Sequence, residues 1–252
     1  MLDHYYYLAA LPALGELGSE PSMGFAELLE HLEHDRRRHD LAGSLFLLDD
    51  LLQREGFLAG ELETVDPAVL SIQQVRNESP LPEFLAPAAE AEESGRFGTA
   101  DRLWEAYFRH VAGLAQRLGS RFLAAWVGHE VALRNALATA RAKRLGLGEA
   151  DYVVAADLAS AGDEVTEAVS AWSSAATPLA GQQSLLRARW DWLTAHDAWF
   201  TFSDDELAVY AARLMLLHQW LRITREGVEH REARSDVPSF NRDPTGSAGQ
   251  TV

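Results

Sequence analysis

The stretch S-D-D-E-L-A-V-Y-A-A-R-L-M-L-L-H-Q-W-L, residues 203–221, constrains the fold more than any other part of the chain. Leu207, Tyr210, Leu214, Leu217 and Leu221 recur at three- and four-residue spacing and so share one helical stripe. Met215, Leu216 and Trp220 make the other faces apolar as well. Such a helix has no solvent side and must lie inside a bundle or against a partner. Its start is marked by Ser203 and Glu206, the S-x-x-E capping box, with Phe202 and Leu207 placed as a hydrophobic staple.

The remaining periodic segments are also helical. Residues 1–24 read as a Tyr-rich extended entry with turns at Pro12, Gly15, Gly18 and Pro21, and Tyr5–Ala9 is the nearest approach to a β pattern. Ser22 is placed to cap a helix over about 24–34, and a second helix runs from Asp40 to Arg54, ended by Gly56. Residues 59–90 are a connection interrupted by Asp66-Pro67, Ser79-Pro80-Leu81-Pro82 and Pro87. Thr99 is placed to cap a helix to Leu118. Gly119-Ser120 then breaks the chain before a helix from Phe122 to Leu145. Residues 149–175 are expected to be helical in two pieces around Gly162. Thr177-Pro178 stops that region, and Gln182 to Ala195 resumes helix. After Arg234 the polar, Pro- and Gly-dotted residues 235–252 read as a disordered tail. The expectation is an all-α cup or bundle of seven to nine helices over 1–234, divided into subdomains at 1–90 and 91–234.

Composition narrows the function classes. The 252 residues contain no cysteine, which excludes disulfides, a thiol nucleophile and cysteine-held metal. A reducing cytoplasm is the expected compartment. The N-terminal residues lack a basic region before their short apolar run, and about 18 consecutive apolar residues occur nowhere, so neither export nor membrane insertion is expected. The net charge of −16 argues against nucleic acid and anionic membrane surfaces as partners. Against that background residues 101–146 hold 8 basic and 3 acidic side chains, a positive island. It serves either internal pairing with the acidic lobes or docking of an acidic partner.

Within the island, E-V-A-L-R-N-A-L-A-T-A-R-A-K-R-L-G, residues 130–146, is a helix with a polar cluster. Lys143 and Arg144 suit its negative end and Gly146 its left-handed cap. Glu130 stands four residues before Arg134, the favourable order for an intrahelical ion pair, with Arg141 a heptad further along. Asn135 falls among Val131, Ala138 and Ala142, where an amide needs a hydrogen bond to another element.

Catalytic patterns are sparse. His129-Glu130 begins H-E-x-x, but Leu133 stands where a zincin has its second histidine. His31, His34 and His39-Asp40 suggest the dyad of helical metal-dependent phosphohydrolases, an alternative reading; a surface helix rich in His and Glu is the plainer account. Asp49-Asp50 and Asp204-Asp205-Glu206 are candidate carboxylate pairs. The first reads more simply as the edge of a helical core, the second as a helix cap. Trp190, Trp192 and Trp199 could stack a ligand, though core packing is their default role. No phosphate-cradling glycine loop is present, and no cofactor is expected.

The Tyr5-Tyr6-Tyr7-Leu8-Ala9-Ala10-Leu11-Pro12 start, the Leu47-Leu48-Asp49-Asp50-Leu51-Leu52 run and the Ala208–Trp220 helix resemble a bacterial family whose genes accompany V-type ATPase genes. Glu130, Arg134-Asn135, Arg141-Ala142-Lys143 and Gly146 resemble the E-x-x-x-R-N-x-x-x-x-x-R-A-K-x-x-G pattern of the V/A-type ATPase C subunit, called the d subunit in eukaryotes. The resemblance covers most of residues 5–225. It implies an all-α, non-catalytic rotor component seated on the membrane proteolipid ring and receiving the foot of the central shaft. It also implies a cytoplasmic location at the inner membrane. The chain is shorter than the archaeal C subunit, which implies one helical subdomain reduced or missing. Glu130, Arg134 and Asn135 are then expected to brace neighbouring helices, and Arg141, Lys143 and Arg144 are interface candidates. A generic helical adaptor unrelated to ion transport is the remaining alternative.

Overall fold

A computed structural model describes residues 7–86, 99–160, 162–197, 201 and 203–235. Among these there is no strand. Eight α-helices follow a helical turn at residues 7–9: α1 (Phe25–His31), α2 (Arg36–Leu58), α3 (Ile72–Val75), α4 (Thr99–Leu118), α5 (Arg121–Leu145), α6 (Asp163–Ser174), α7 (Pro178–Ala195) and α8 (Asp204–Ser235). No helix is long and apolar enough to cross a membrane among the described residues. Tyr5, Tyr6, Pro87, Trp199, Phe202 with its staple, and the tail 236–252 lie outside the description.

Several boundaries differ from expectation for local reasons. Tyr7 begins the described chain in a helical turn, not an extended one. Gly24, not Ser22, is the cap of α1, its N–H donating to the Glu27 carboxylate at 3.3 Å. Helix α2 starts four residues before Asp40, because Asp35 accepts from the Arg38 N–H at 3.2 Å. Gly56 does not end it. Its carbonyl receives the N–H groups of Glu61 and Leu62 at 2.8 and 3.2 Å, while the reversal falls at Gly60, φ 73°. Pro178 starts α7 instead of stopping a helix: it sits in the first turn, where its missing N–H costs nothing, and Thr177 caps by accepting from the Ala180 N–H at 3.1 Å. The segment after α5 forms two short 3₁₀ turns, Glu149–Tyr152 and Ala156–Leu158, before α6. Helix fails there because Asn135 takes the backbone N–H and carbonyl of Val154, and Ala155 is left-handed at φ 44°.

Successive packing of α2 on α4, α4 on α5, α5 on α6, α6 on α7, α7 on α8, and α8 back on α2 closes a ring of six helices. Helix α8, apolar on several faces, also touches α5. Ala208, Ala211, Ala212, Leu214, Met215, Leu216 and Leu217 are buried in it. One hydrophobic core runs from Met23 to Leu216 through both halves of the chain, and a smaller one joins Leu133, Leu137, Val165, Ala168 and Leu185 between α5, α6 and α7.

The ring has two unlike ends. At one, where α2, α5 and α8 begin, Arg37 and Arg38 reach Asp204 at 2.6 and 3.2 Å, and Arg37 also donates to the Leu118 carbonyl. Ser120 donates to Asp205 at 2.6 Å while capping α5. Phe122, Trp126, His129, Trp192 and His196 form a continuous aromatic cluster, stacked except where Trp126 meets Trp192 edge-on. At the other end, where α2 and α5 finish and α4 and α7 begin, the ring stays open.

Candidate functional site

The open end holds a cleft of about 720 Å³ lined by α2, α4, α5, α7 and α8. Helix α5 supplies the wall that the sequence singled out. It runs from Ser120, whose Oγ accepts from the Leu123 N–H at 3.0 Å, to Gly146 at φ 68°. Lys143 and Arg144 lie in its last turn. Of the six candidate residues, the structure places Arg134 and Arg141 in the cleft, Glu130 beneath it, and Asn135 on the side turned to residue 154. Lys143 and Arg144 are exposed beyond the rim.

The predicted Glu130–Arg134 pair is not made. Glu130, only 3% exposed, instead receives both arms of Arg189 from α7 at 2.7 and 2.9 Å. Arg134 turns the other way. Its guanidinium lies 4.3 Å over the Trp104 ring, 3.6 Å from Glu55 and 3.8 Å from Asp101, and the Trp104 indole N–H donates to Glu55 at 2.5 Å. A planar guanidinium gains more from an aromatic face plus two carboxylates than from one flexible neighbour on its own helix. Burial raises the pKa of Asp101, Arg134 lowers it and Glu55 raises it further. Asn135 donates to the Val154 carbonyl at 2.8 Å and accepts from its N–H at 3.0 Å, so its partner is an irregular strap, not a helix.

Asp49 and Asp50, expected at the edge of a core, are both fully buried. Asp49 binds Arg222 at 2.5 Å, Gln219 at 3.0 Å and Gln53 at 2.9 Å. Asp50 accepts the backbone N–H groups of Ala68, Val69 and Leu70 at 2.7–2.8 Å. Burial raises its pKa to about 6 against the lowering by these three bonds, with Asp49 adding a further raise. Gln53 and Arg54 extend the grip, to both backbone groups of Asp66 and to the Gln74 carbonyl and Asn77. The two polar pairs thus work alike. Asp50 and Asn135 each hold an irregular strap by its backbone; Asp49 and Arg134 each pair with a distant helix. Both polar pairs are set among aliphatic residues of their helices, L-L-D-D-L-L and A-L-R-N-A-L.

The second acidic cluster ties α8 to its neighbours. Asp204 and Asp205 lie in the first turn of α8, as expected, and are simultaneously the acceptors for Arg37, Arg38 and Ser120. Residues missed as site components are Glu55, Asp101, Arg189, Gln219 and Arg222. The one available signal was Gln219-x-x-Arg222, a polar i,i+3 pair ending an apolar helix.

The histidines do not converge. His31 faces the Tyr7 carbonyl at 3.3 Å, His34 lies 3.5 Å from Glu33, and His39 lies 3.9 Å from its neighbour Asp40. Among the described residues no group of three or more His, Asp or Glu is placed to hold a metal ion. His129 is buried against Trp192, ring centres 4.8 Å apart, and burial lowers its pKa. Trp190 and Trp192 pack on the core.

Chemically the cleft combines one wall of paired charges with an apolar rim. Leu145 is 72%, Leu147 46%, Tyr152 37% and Leu52 36% exposed, and all four line it. Arg141, on the same wall, has no carboxylate within ion-pair distance among the described residues and rests 5.2 Å over the Trp172 ring. Such an arrangement offers a partner both apolar contact and charge. No protein-family model, curated protein or solved structure matches the chain.

Proposed function

We propose that the chain is a non-catalytic helical adaptor, a counterpart of the C subunit in the central stalk of a V/A-type ATPase, that couples the central shaft to the membrane proteolipid ring. The observation that carries this reading is the open cleft: a rigid ring of helices leaves exposed leucines at one end, beside a wall braced by buried pairs. A torque-bearing adaptor needs that division, with stiffness in the body and unsatisfied apolar surface at a docking end. The resemblance of Glu130, Arg134-Asn135, Arg141-Ala142-Lys143 and Gly146 to the C-subunit pattern supports the choice of complex. Glu130, Arg134 and Asn135 join α5 to α7, to α2 and α4, and to the 154 strap. On this reading the chain is cytoplasmic, peripheral to the inner membrane through the complex, and needs no cofactor.

Purification through a tag on this chain tests the reading. Co-purification of the ATPase head, shaft and proteolipids is expected. Their absence, while a tag on the head recovers the intact complex without this chain, would exclude the rotor assignment.

A further inference from the structure

We infer that the cleft receives an acidic amphipathic helix of a partner protein, with one carboxylate on Arg141 and apolar side chains against Leu52, Leu145, Leu147 and Tyr152. The inference names the partner chemistry of the adaptor reading and rests on that reading, though not on the identity of the complex.

Charge decides the sign of the occupant. Three cleft arginines are already committed: Arg134 to Glu55 and Asp101, Arg189 to Glu130, Arg222 to Asp49. Arg141 is exposed, lies near enough to Arg134 to repel it, and has only the Trp172 face beneath it. A carboxylate on Arg141 would relieve that repulsion and leave the guanidinium stacked. A polyphosphate or other multiply charged small anion suits the cleft less well, because Glu55, Glu61 and Asp101 also line it. One acidic group fits; several do not.

Backbone chemistry decides the conformation. Most of the cleft wall is helix, the lining residues Ala59, Glu61, Leu62 and Leu147 donate their N–H groups to carbonyls of α2 and α5, and no strand edge is present among the described residues. A guest laid against exposed leucines must therefore satisfy its own backbone, which a helix does. Leu145 and Leu147 flank the Gly146 turn at the end of α5, and Leu52 lies on α2 across the opening. With Tyr152 they form an apolar rim for one helix face.

The test places a photo-crosslinking amino acid at Leu145, in the full-length chain expressed in the cells it comes from, and maps the joined residues by mass spectrometry. The expected product is one segment with apolar residues at helical spacing and an acidic residue on the adjoining face. Arg141→Glu is expected to lower the yield about tenfold, and reversing that acid to Arg in the partner to restore it. Arg141 is exposed, so the folded chain, checked by circular dichroism, serves as the control. Crosslinks only to another copy of this chain, to a segment without an acid, or to no protein would overturn the inference, as would an unchanged yield with Arg141→Glu. An acidic helix belonging to a protein outside the ATPase would keep the inference and end the stalk reading; one belonging to the shaft or ring would sustain both.

Discussion

At the end of the ring where α2 and α8 begin, Arg37 and Arg38 both close on Asp204, and Ser120 caps its own helix while donating to Asp205. At the opposite end α2 and α5 stop with Leu58 53% and Leu145 72% exposed and Arg141 uncommitted. Both ends are built from arginines, carboxylates and leucines. The difference lies in what the side chains at the helix ends reach. Where α5 starts, the Ser120 hydroxyl accepts the free Leu123 N–H and donates to Asp205 of α8, while Asp204 accepts from Arg37 and Arg38 of α2, so the helices tie together. Where α2 and α5 finish, the matching residues at the end of α5 are cations, Lys143 and Arg144, which suit their own helix end but repel each other. The closed end is therefore tied by bonds between helices, and the open end keeps exposed leucines and the Arg141 guanidinium.

The deepest test of this contrast lies beneath the cleft. Glu130→Leu should strand Arg189 and cost about 3–5 kcal/mol in urea denaturation, whereas Glu130→Leu with Arg189→Leu should recover most of the loss. A cost under about 1 kcal/mol would show the floor of the open end to be as loosely held as its rim, and the division between braced body and docking rim would fail.

Asp50 gives the next largest effect, and its sign is set by burial. The folded state holds this carboxyl at about 6, against 3.8 for the ordinary group, so between those pH values the folded chain keeps a proton that the unfolded chain has released. Its contribution is full below about pH 4 and falls, by up to about 3 kcal/mol, as pH rises through 6. Asp50→Asn removes the titration. The stability of the wild type minus that of the variant should therefore drop across pH 4–7, and parallel curves would show that the 68–70 strap does not report on this carboxyl.

At the closed end, Ser120→Ala removes both the cap of α5 and the tie to Asp205, for a loss of about 1–2 kcal/mol by thermal or urea unfolding. No loss would mean that Arg37 and Arg38 alone hold that end.

These residues were unequally legible in the sequence. Local chemistry could be read: the Gly119-Ser120 break, the Gly146 cap and the broadly apolar α8 each follow from neighbours within one helical turn. The pairings of the cleft could not, because Glu130 meets Arg189 across 59 residues and Asp49 meets Arg222 across 173. The expected Glu130–Arg134 pair failed for that reason: spacing ranks partners on one helix and is blind to a better one arriving from another. Asn135 was legible in its need but not in its partner. A buried amide announces two missing bonds, yet nothing near it in sequence says that Val154 will supply both.

The smallest expected effect separates the two ends most sharply. Arg141→Gln, Lys143→Gln and Arg144→Gln alter side chains that face solvent at the rim, and each should change stability by less than about 0.5 kcal/mol. Lys143 and Arg144 contribute only a screened interaction with their own helix end, so raising the salt should shrink even that difference. For Arg141 two small terms oppose: the contact with Trp172 is weakened, while the repulsion of Arg134 is removed. The measurement is urea unfolding of each variant beside Ser120→Ala at low and high salt. A rim substitution that cost as much as Ser120→Ala would place that cation among the braces and leave the open end without a free charge to offer.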